Sequence, residues 1–390
     1  MPNPKLLRLT TVPLSLQYLI KGQLRFMSQH FKVLAMSSGP KEELGKVATH
    51  ENVEVREVHM TRQITPFQDI ISLLQLIQVF RKEKPTIVHT HTPKAGILGM
   101  LAANIAGVPL RLHTVAGLPL MEASGIKRKI LDAVEKLTYT CATRVYPNSK
   151  GLEQFILQHK YAPINKLKLI ANGSSNGIDT TYFSPAHFSE QQSQDLRQQL
   201  GIQKEDFVFI FVGRLVSDKG INELVSAFKS LSFGEGFRER LLLVGPLESE
   251  LDPLLPETLK EIEVNPNIIT TGFQDDVRPY FAMSDALAFP SYREGFPNVV
   301  MQAGAMGLPS IVSDINGCNE IIEEGKNGLI IPAKDTKALQ RAMIKLIKDQ
   351  NLYEKLKSNS REMITLRYEQ RLVWEAILEE YNQLVKNKNV

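Results

Sequence analysis

The chain has little to build disulfides or cysteine metal sites with. Only Cys141 and Cys318 occur in 390 residues. That count excludes a disulfide framework and a cysteine-based zinc spacing, and it fits a reducing compartment, so a cytoplasmic location is expected. Long apolar runs are missing too: no stretch approaches the roughly 18 uninterrupted apolar residues of a spanning helix. Near the N-terminus Lys5 and Arg8 precede an apolar stretch, but Pro13 and Gln17 interrupt it and no small-residue cleavage site follows. It reads as a first strand and helix rather than a signal peptide. With 43% hydrophobic residues, disorder is excluded and two domains are expected.

Charge is plentiful but uneven. Residues 1–180 hold 23 Lys and Arg against 12 Asp and Glu, whereas the rest holds 23 against 30. On charge alone the first half therefore suits an anionic partner, such as a membrane surface, a diphosphate lipid or nucleic acid, or else is merely a basic solvated surface. Two segments suit an anionic membrane: a helix Ser15–Gln29 with Lys21 and Arg25 four apart, and the run 126–131 with Lys127, Arg128 and Lys129. On pattern alone, two ordinary amphipathic helices account for them slightly better. Nucleic acid is not the expected partner.

Apolar, β-branched runs alternate with helical-period segments, as in βαβ units around a parallel sheet. Leu6–Thr11, Lys32–Met36, Thr86–His91, Arg111–Val115 and Arg144–Pro147 read as strands of a first sheet. Ser15–Gln29, Asp69–Glu83, Ile97–Ala106 and Lys127–Cys141 read as helices between them. After Gly177, the polar stretch 183–194 reads as a linker and a short helix. Phe207–Gly213, Arg240–Val244, Asn267–Thr271, Ala286–Pro290 and Ser310–Ser313 then form a second set of strands, with helices at Thr336–Asp349 and Leu352–Arg367. The expected fold class is α/β with two Rossmann-like domains. One spans 1–180 and the other 181–367, with a helix at about 368–390 packing back on the first. Ligand is expected between them, beyond the carboxyl ends of the strands.

The strongest local signal is SYREGFPNVVMQAGAMGLPSIVSD, residues 291–314. Pro297 stands where a first helical residue belongs, and Gly307 and Pro309 end the helix. The peptide N–H groups of Asn298 and Val299 are left to bind an anion such as a diphosphate. Upstream, VFIFVGRLVSDKG (208–220) puts Arg214 after a buried strand and Lys219 before the next helix. Two cations there would neutralise charge on a departing diphosphate. A common turn with a surface lysine fits the same stretch.

GRLVSDKG (213–220), TTGFQDDV (270–277) and FPSYREGFPNVVMQAGAMGLPSIVSDINGCNEII (289–322) together resemble the donor domain of the family 4 retaining glycosyltransferases of the GT-B fold. VHTHTPKAG (88–96), YPNS (146–149) and NGIDTTYFSP (176–185) extend the likeness over nearly the whole chain. The resemblance implies transfer of a sugar, with retention, from a nucleotide diphosphate donor, UDP-linked, without a metal or other cofactor. The implied acceptor is a lipid-diphosphate-linked sugar of a bacterial surface polysaccharide, met by an enzyme peripheral to the inner face of the cell membrane. It assigns Arg214 and Lys219 to the diphosphate and Glu294 to the transferred sugar. Gly213, Gly272, Phe273, Phe296, Asn298 and Val299 join the donor side. Gln302 stands where the family has a ribose-binding glutamate; an amide still both accepts and donates.

The first half departs further from the pattern. Val12-Pro13-Leu14-Ser15 replaces a glycine pair, and Ala116 stands where many relatives have a histidine after Thr114-Val115. The acceptor side is assigned Ser15, His91, Lys94 and His113. His89 and His91, two apart on a strand, face one side, but no third ligand is in register for zinc, so no metal site is assigned. A core or acceptor pocket takes the histidines instead. A nucleotide-sugar epimerase and a non-catalytic binding subunit are the alternatives; the first calls for further acid/base residues.

Overall fold

The computed structural model describes residues 4–388 except 119, 121–123, 232–238, 249 and 251. Two compact units divide the chain, Met1–Gly177 with Gln370–Val390, and Ile178–Glu369. Residues 389 and 390 of the expected last helix lie outside the described residues.

In the first unit β1 (Lys5–Leu9), β2 (Lys32–Ser37), β3 (Glu54–Glu57), β4 (Ile87–His91), β5 (Leu110–Val115) and β6 (Arg144–Pro147) form one parallel sheet ordered β3-β2-β1-β4-β5-β6. The second unit repeats this order with β7 (Phe207–Val212), β8 (Glu239–Val244), β9 (Ile268–Gly272), β10 (Ala286–Phe289), β11 (Ser310–Ser313) and β12 (Gly328–Ile331), paired β12-β11-β10-β7-β8-β9. Strand order reverses beside the first strand in each, so both units are Rossmann-like and ligand-binding loops belong at the carboxyl ends.

Burial follows the sequence pattern. Phe209, Ile210, Phe211, Leu241, Leu242 and Leu243 are fully buried, because helices cover both faces of a parallel sheet. The first sheet has two apolar clusters, one built on Leu7, Leu9, Val88 and Val145 and the other on Leu6, Val33, Ile87 and Leu112. The second cluster also takes Val373, Ile377 and Tyr381 from helix Gln370–Asn387, which thus completes the first unit from the far end of the chain.

Three expectations need correction. The helix expected over Ser15–Gln29 is broken into a π-helical turn, Ser15–Leu19, and a helix, Gln23–Ser28. Gly22, at φ 78°, makes the break, and a Cβ there would come within 2.6 Å of the Trp374 ring. Lys21 therefore lies outside the helix that holds Arg25, and the two do not share a helical face. The helices expected from Asp69 and Ile97 begin earlier, at Pro66 and Pro93, each a proline in the first turn where its missing N–H costs nothing. Pro297, expected as a first helical residue, is the N-cap at φ −75° and ψ 113°, and the helix runs Asn298–Ala305.

Candidate active site

In the second unit the charged residues gather in loops at the carboxyl ends of β7, β8, β10 and β11. Two matching turns, Gly213-Arg214-Leu215 after β7 and Gly245-Pro246-Leu247 after β8, lie side by side, with Leu215 N–H donating to Pro246 O at 2.9 Å. A Cβ on Gly245 would lie 1.8 Å from Gly213 O, so only glycine permits this approach. The pairing sets Arg214 opposite Glu248, with Nη1 2.5 Å from Oε2 and the arginine side chain half exposed.

The Ser217–Lys219 turn ends at Gly220, where a Cβ would come within 2.1 Å of Pro290 O. That contact seats the turn on the end of β10 and brings Lys219 Nζ to 2.5 Å from Glu294 Oε1. Ser291 Oγ donates to the same carboxylate oxygen at 2.9 Å. Arg293 pairs with Asp218 at 2.7 Å, and Tyr292 donates to Glu223 at 2.6 Å. Burial, and then that bond to Glu223, hold the Tyr292 phenol well above its usual range.

The loop ahead of helix Asn298–Ala305 is pinned from β11. Asn316 Nδ2 donates to Glu294 O and Gly295 O at 3.1 and 2.6 Å, and a Cβ on Gly317 would lie 2.5 Å from Gly295 O. The peptide N–H groups of Asn298 and Val299 then have no hydrogen-bond acceptor among the described residues. Asn298 is exposed and Val299 and Gln302 are half-buried. Two cations, a glutamate and open N–H groups thus lie at the carboxyl end of one sheet, an arrangement suited to a polyanion bearing a hydroxylated group. Gly272, at φ 67°, ends β9, and Phe273 beyond it is 70% exposed. Phe296 is different: its side chain is buried and packs edge-on against Tyr368 at 5.4 Å, leaving only its backbone to the loop.

The sequence reading missed Glu248 and Ser291. The twin Gly-x-Leu turns after two adjacent strands were the available signal for the first. Nothing in the pattern marked the second.

The first unit keeps its polar groups inside. Arg8, fully buried on β1, donates from Nη1 to Tyr381 Oη at 2.7 Å and from Nη2 to Gln23 Oε1, and its Nη2 lies 2.7 Å from His91 Nε2. A guanidinium only donates, so His91 accepts at Nε2 and carries its proton on Nδ1. That nitrogen is buried without a partner among the described residues. Tyr381 Oη is in contact with His89 Nδ1, whose Nε2 lies 2.7 Å from Thr114 Oγ1. Burial, then the nearby Arg8 charge, push both histidines well below the usual histidine range. His113 is buried beside Thr90 Oγ1 at 2.8 Å and is lowered to about 4, chiefly by burial.

Lys94 donates to Gln63 O and pairs with Asp69 at 2.5 Å, while Ser15 opens the π-helical turn. A small cleft lies among His89, Thr114, Tyr146, Asn148, Ser175 and Tyr381. Asn148 Oδ1 and Ser175 Oγ in it are buried and unpartnered among the described residues. Among the described residues no group of three or more His, Cys, Asp or Glu side chains is placed to hold a metal ion.

The glycosyl transferase 4-like domain model matches residues 25–173, and the glycosyl transferases group 1 model matches residues 192–363. A capsular polysaccharide biosynthesis glycosyltransferase of Staphylococcus aureus is 33% identical over 387 residues, covering 99% of each chain. The chain belongs to family 4 of the glycosyltransferases. It is an enzyme of the GT-B fold, and neither the epimerase nor the binding-subunit reading is favoured. An Escherichia coli relative, UDP-Gal:alpha-D-GlcNAc-diphosphoundecaprenol alpha-1,3-galactosyltransferase, is 29% identical and covers 75% of this chain and 74% of its own. The Anabaena HepE structure with UDP and glucose superposes with a TM-score of 0.80 at 18% identity, over 97% of this chain and 100% of that one. At that identity the likeness speaks for the fold.

Proposed function

We propose that this glycosyltransferase moves a sugar from a UDP-sugar to a hydroxyl of a lipid-diphosphate-linked glycan in bacterial polysaccharide synthesis, with retention at the anomeric carbon. The observation that carries the reading is the Lys219–Glu294 pair beside the N–H groups of Asn298 and Val299, which have no acceptor among the described residues. Lys219, Arg214 and the helix N-terminus take the diphosphate, and Glu294 accepts from hydroxyls of the transferred sugar. Gln302 reaches the ribose, and Gly272 and Phe273 border the base. The names of the Escherichia coli and Campylobacter jejuni relatives, both transferases acting on diphospho-undecaprenol-linked sugars, support this choice of acceptor.

Retention follows from attack on the face the leaving group departs from. The bond from the anomeric carbon to the phosphate oxygen breaks as the bond to the acceptor oxygen forms, and the acceptor proton passes to the diphosphate. The cations compensate the charge that builds on that diphosphate, which is the role a divalent metal plays in other transferases. Incubation with UDP-sugars and an undecaprenyl-diphosphate-linked acceptor in excess EDTA tests this. UDP release that needs acceptor, with a product of unchanged anomeric configuration by NMR, is expected. Inversion, or loss on chelation restored by magnesium or manganese, overturns it.

A further inference from the structure

Helix Pro66–Glu83 carries two apolar stripes where packing in its own unit needs one. Leu76, Ile77 and Phe80 are buried in the core of the first unit, with Leu73 packed against them. Phe67, Ile70, Ile71 and Leu74 recur at the i, i+3, i+4, i+7 spacing of a second face and stand 86, 57, 63 and 55% exposed. Ile64, 66% exposed, extends that face ahead of the helix. The segment is held in place: Lys94 donates to Gln63 O at 2.7 Å and pairs with Asp69, and Thr65 Oγ1 donates to Asp69 Oδ1 at 3.1 Å.

A second helix repeats the feature. On Gly125–Cys141, Ile126 and Ile130 are 79 and 47% exposed, with Lys127 and Lys129 exposed between them. Both helices pack against helix Pro93–Ile105, one on each side, and both begin beyond carboxyl ends of strands of the same sheet. Their exposed apolar residues fall mostly in the first half of each helix, and so at the same end of the unit.

An exposed apolar stripe such as that of Phe67, Ile70, Ile71 and Leu74 marks a contact with something other than water. Charge chooses the partner. Arg62 precedes the first stripe, while Arg81, Lys82 and Lys84 follow at the far end of the same helix, and all four are exposed. A second copy of this chain would set these cations against their own kind. An acidic lipid leaflet complements them, with the long basic side chains reaching the headgroups while the apolar face sinks below. Among the described residues no helix is long and apolar enough to cross a membrane, so such a helix lies in the interface plane.

We infer that Phe67, Ile70, Ile71 and Leu74, with Ile126 and Ile130 at the same end of the unit, seat the first unit in the surface of an anionic bilayer. This goes beyond the electrostatic attraction that Lys127, Arg128 and Lys129 suggest, because apolar insertion persists where salt screens charge. Only its use, meeting a lipid-linked acceptor, rests on the function proposed above.

Flotation of the full chain with vesicles of phosphatidylglycerol and phosphatidylcholine in equal parts tests it, without donor or acceptor. Replacing Phe67, Ile70, Ile71 and Leu74 together by Ser is expected to lower partitioning at least about a hundredfold, since four apolar groups leave the interface. Reversing Lys127 and Lys129 to Glu is expected to lower it about tenfold or more. A Phe67→Trp variant, in a chain whose one native tryptophan is Trp374, should shift its emission to the blue on vesicles and be quenched by brominated lipid.

Equal flotation of wild type and the serine variant overturns the inference. So does a tryptophan at 67 that vesicles leave unshifted, whether or not the serine variant folds. So does a wild-type dimer that the serine substitutions dissolve, since the face would then be covered by a second copy. Failure of the proposed function reads differently: UDP gives no thermal shift while the vesicles still bind.

Discussion

The two units share one strand order and use it in opposite ways. The first places charge and hydrogen-bonding groups in the middle of its sheet, where Arg8, His89 and His91 are no more than 2% exposed. The second keeps β7 and β8 apolar in their middles and puts its charges in glycine-bounded turns at the strand ends. In the first unit polar groups hold the C-terminal helix to the sheet through Tyr381, and each is costly to leave unpaired. In the second they form the ion pairs Arg214–Glu248 and Lys219–Glu294 in the loops at the strand ends.

The sharpest way to break this contrast is at Arg8. Arg8→Ala strands Gln23, Tyr381 and His91 in a dry site and should cost about 3–5 kcal/mol of stability, read by denaturant unfolding. UDP binding by whatever remains folded should be unaffected, because the donor residues belong to the other unit. Stability within 1 kcal/mol of wild type, by that order of magnitude, would mean the network is ornamental.

Arg214→Ala and Lys219→Ala probe the other side of the comparison. Each should lower kcat/KM by about 2–4 kcal/mol in transition-state terms while leaving the melting temperature alone. Folded variants with wild-type turnover would remove both cations from the diphosphate.

Acid should separate the units next. His89, His91 and His113 have folded-state pKa values below the free-histidine value, so the unfolded chain binds more protons. Their contribution is complete above about pH 6.5 and falls by up to about 1.4 kcal/mol per histidine for each pH unit below it. For His113 that loss ends near its folded value of about 4. Unfolding followed from pH 7.5 to 5 should show the first unit weakening first. A flat profile would mean that these rings are charged or solvated.

The smallest effect is expected at Gln302. Gln302→Ala should raise the donor KM about tenfold, the worth of one or two hydrogen bonds of about 1 kcal/mol each, with less change in turnover. Gln302→Glu should be tolerated. Identical KM values for all three proteins would place the ribose elsewhere.

Ten of the twelve strands were legible because their apolar runs report burial on both faces. The two that were missed, Glu54–Glu57 and Gly328–Ile331, are edge strands of four residues. Glu-Val-Arg-Glu alternates polar and apolar residues in too short a run to register as a strand, and Gly-Leu-Ile-Ile follows a turn that hides its start. The loops at the strand ends of the second unit were legible because Gly220, Pro297 and Gly307 are residues that turns and helix ends demand. The break at Gly22 was not, because the ring that leaves room there only for glycine is Trp374, more than three hundred positions away in the chain.

The sequence by itself determined the fold class and, through the resemblance of its motifs, the family; it also placed Arg214 after a strand, Lys219 before a helix and a further helix ahead of Gly307, because periodicity, caps and turn glycines act over a few residues. Only the tertiary structure decided which partners those residues hold. Glu294 meets Lys219 because Gly220 alone can rest on Pro290, and Arg214 meets Glu248 because Gly245 admits the neighbouring turn. It also decided that Arg8 and two histidines lie inside the first unit and that Phe67 lies outside it. A single helix can be amphipathic on two faces, and which of them is buried depends on what the rest of the chain brings to it.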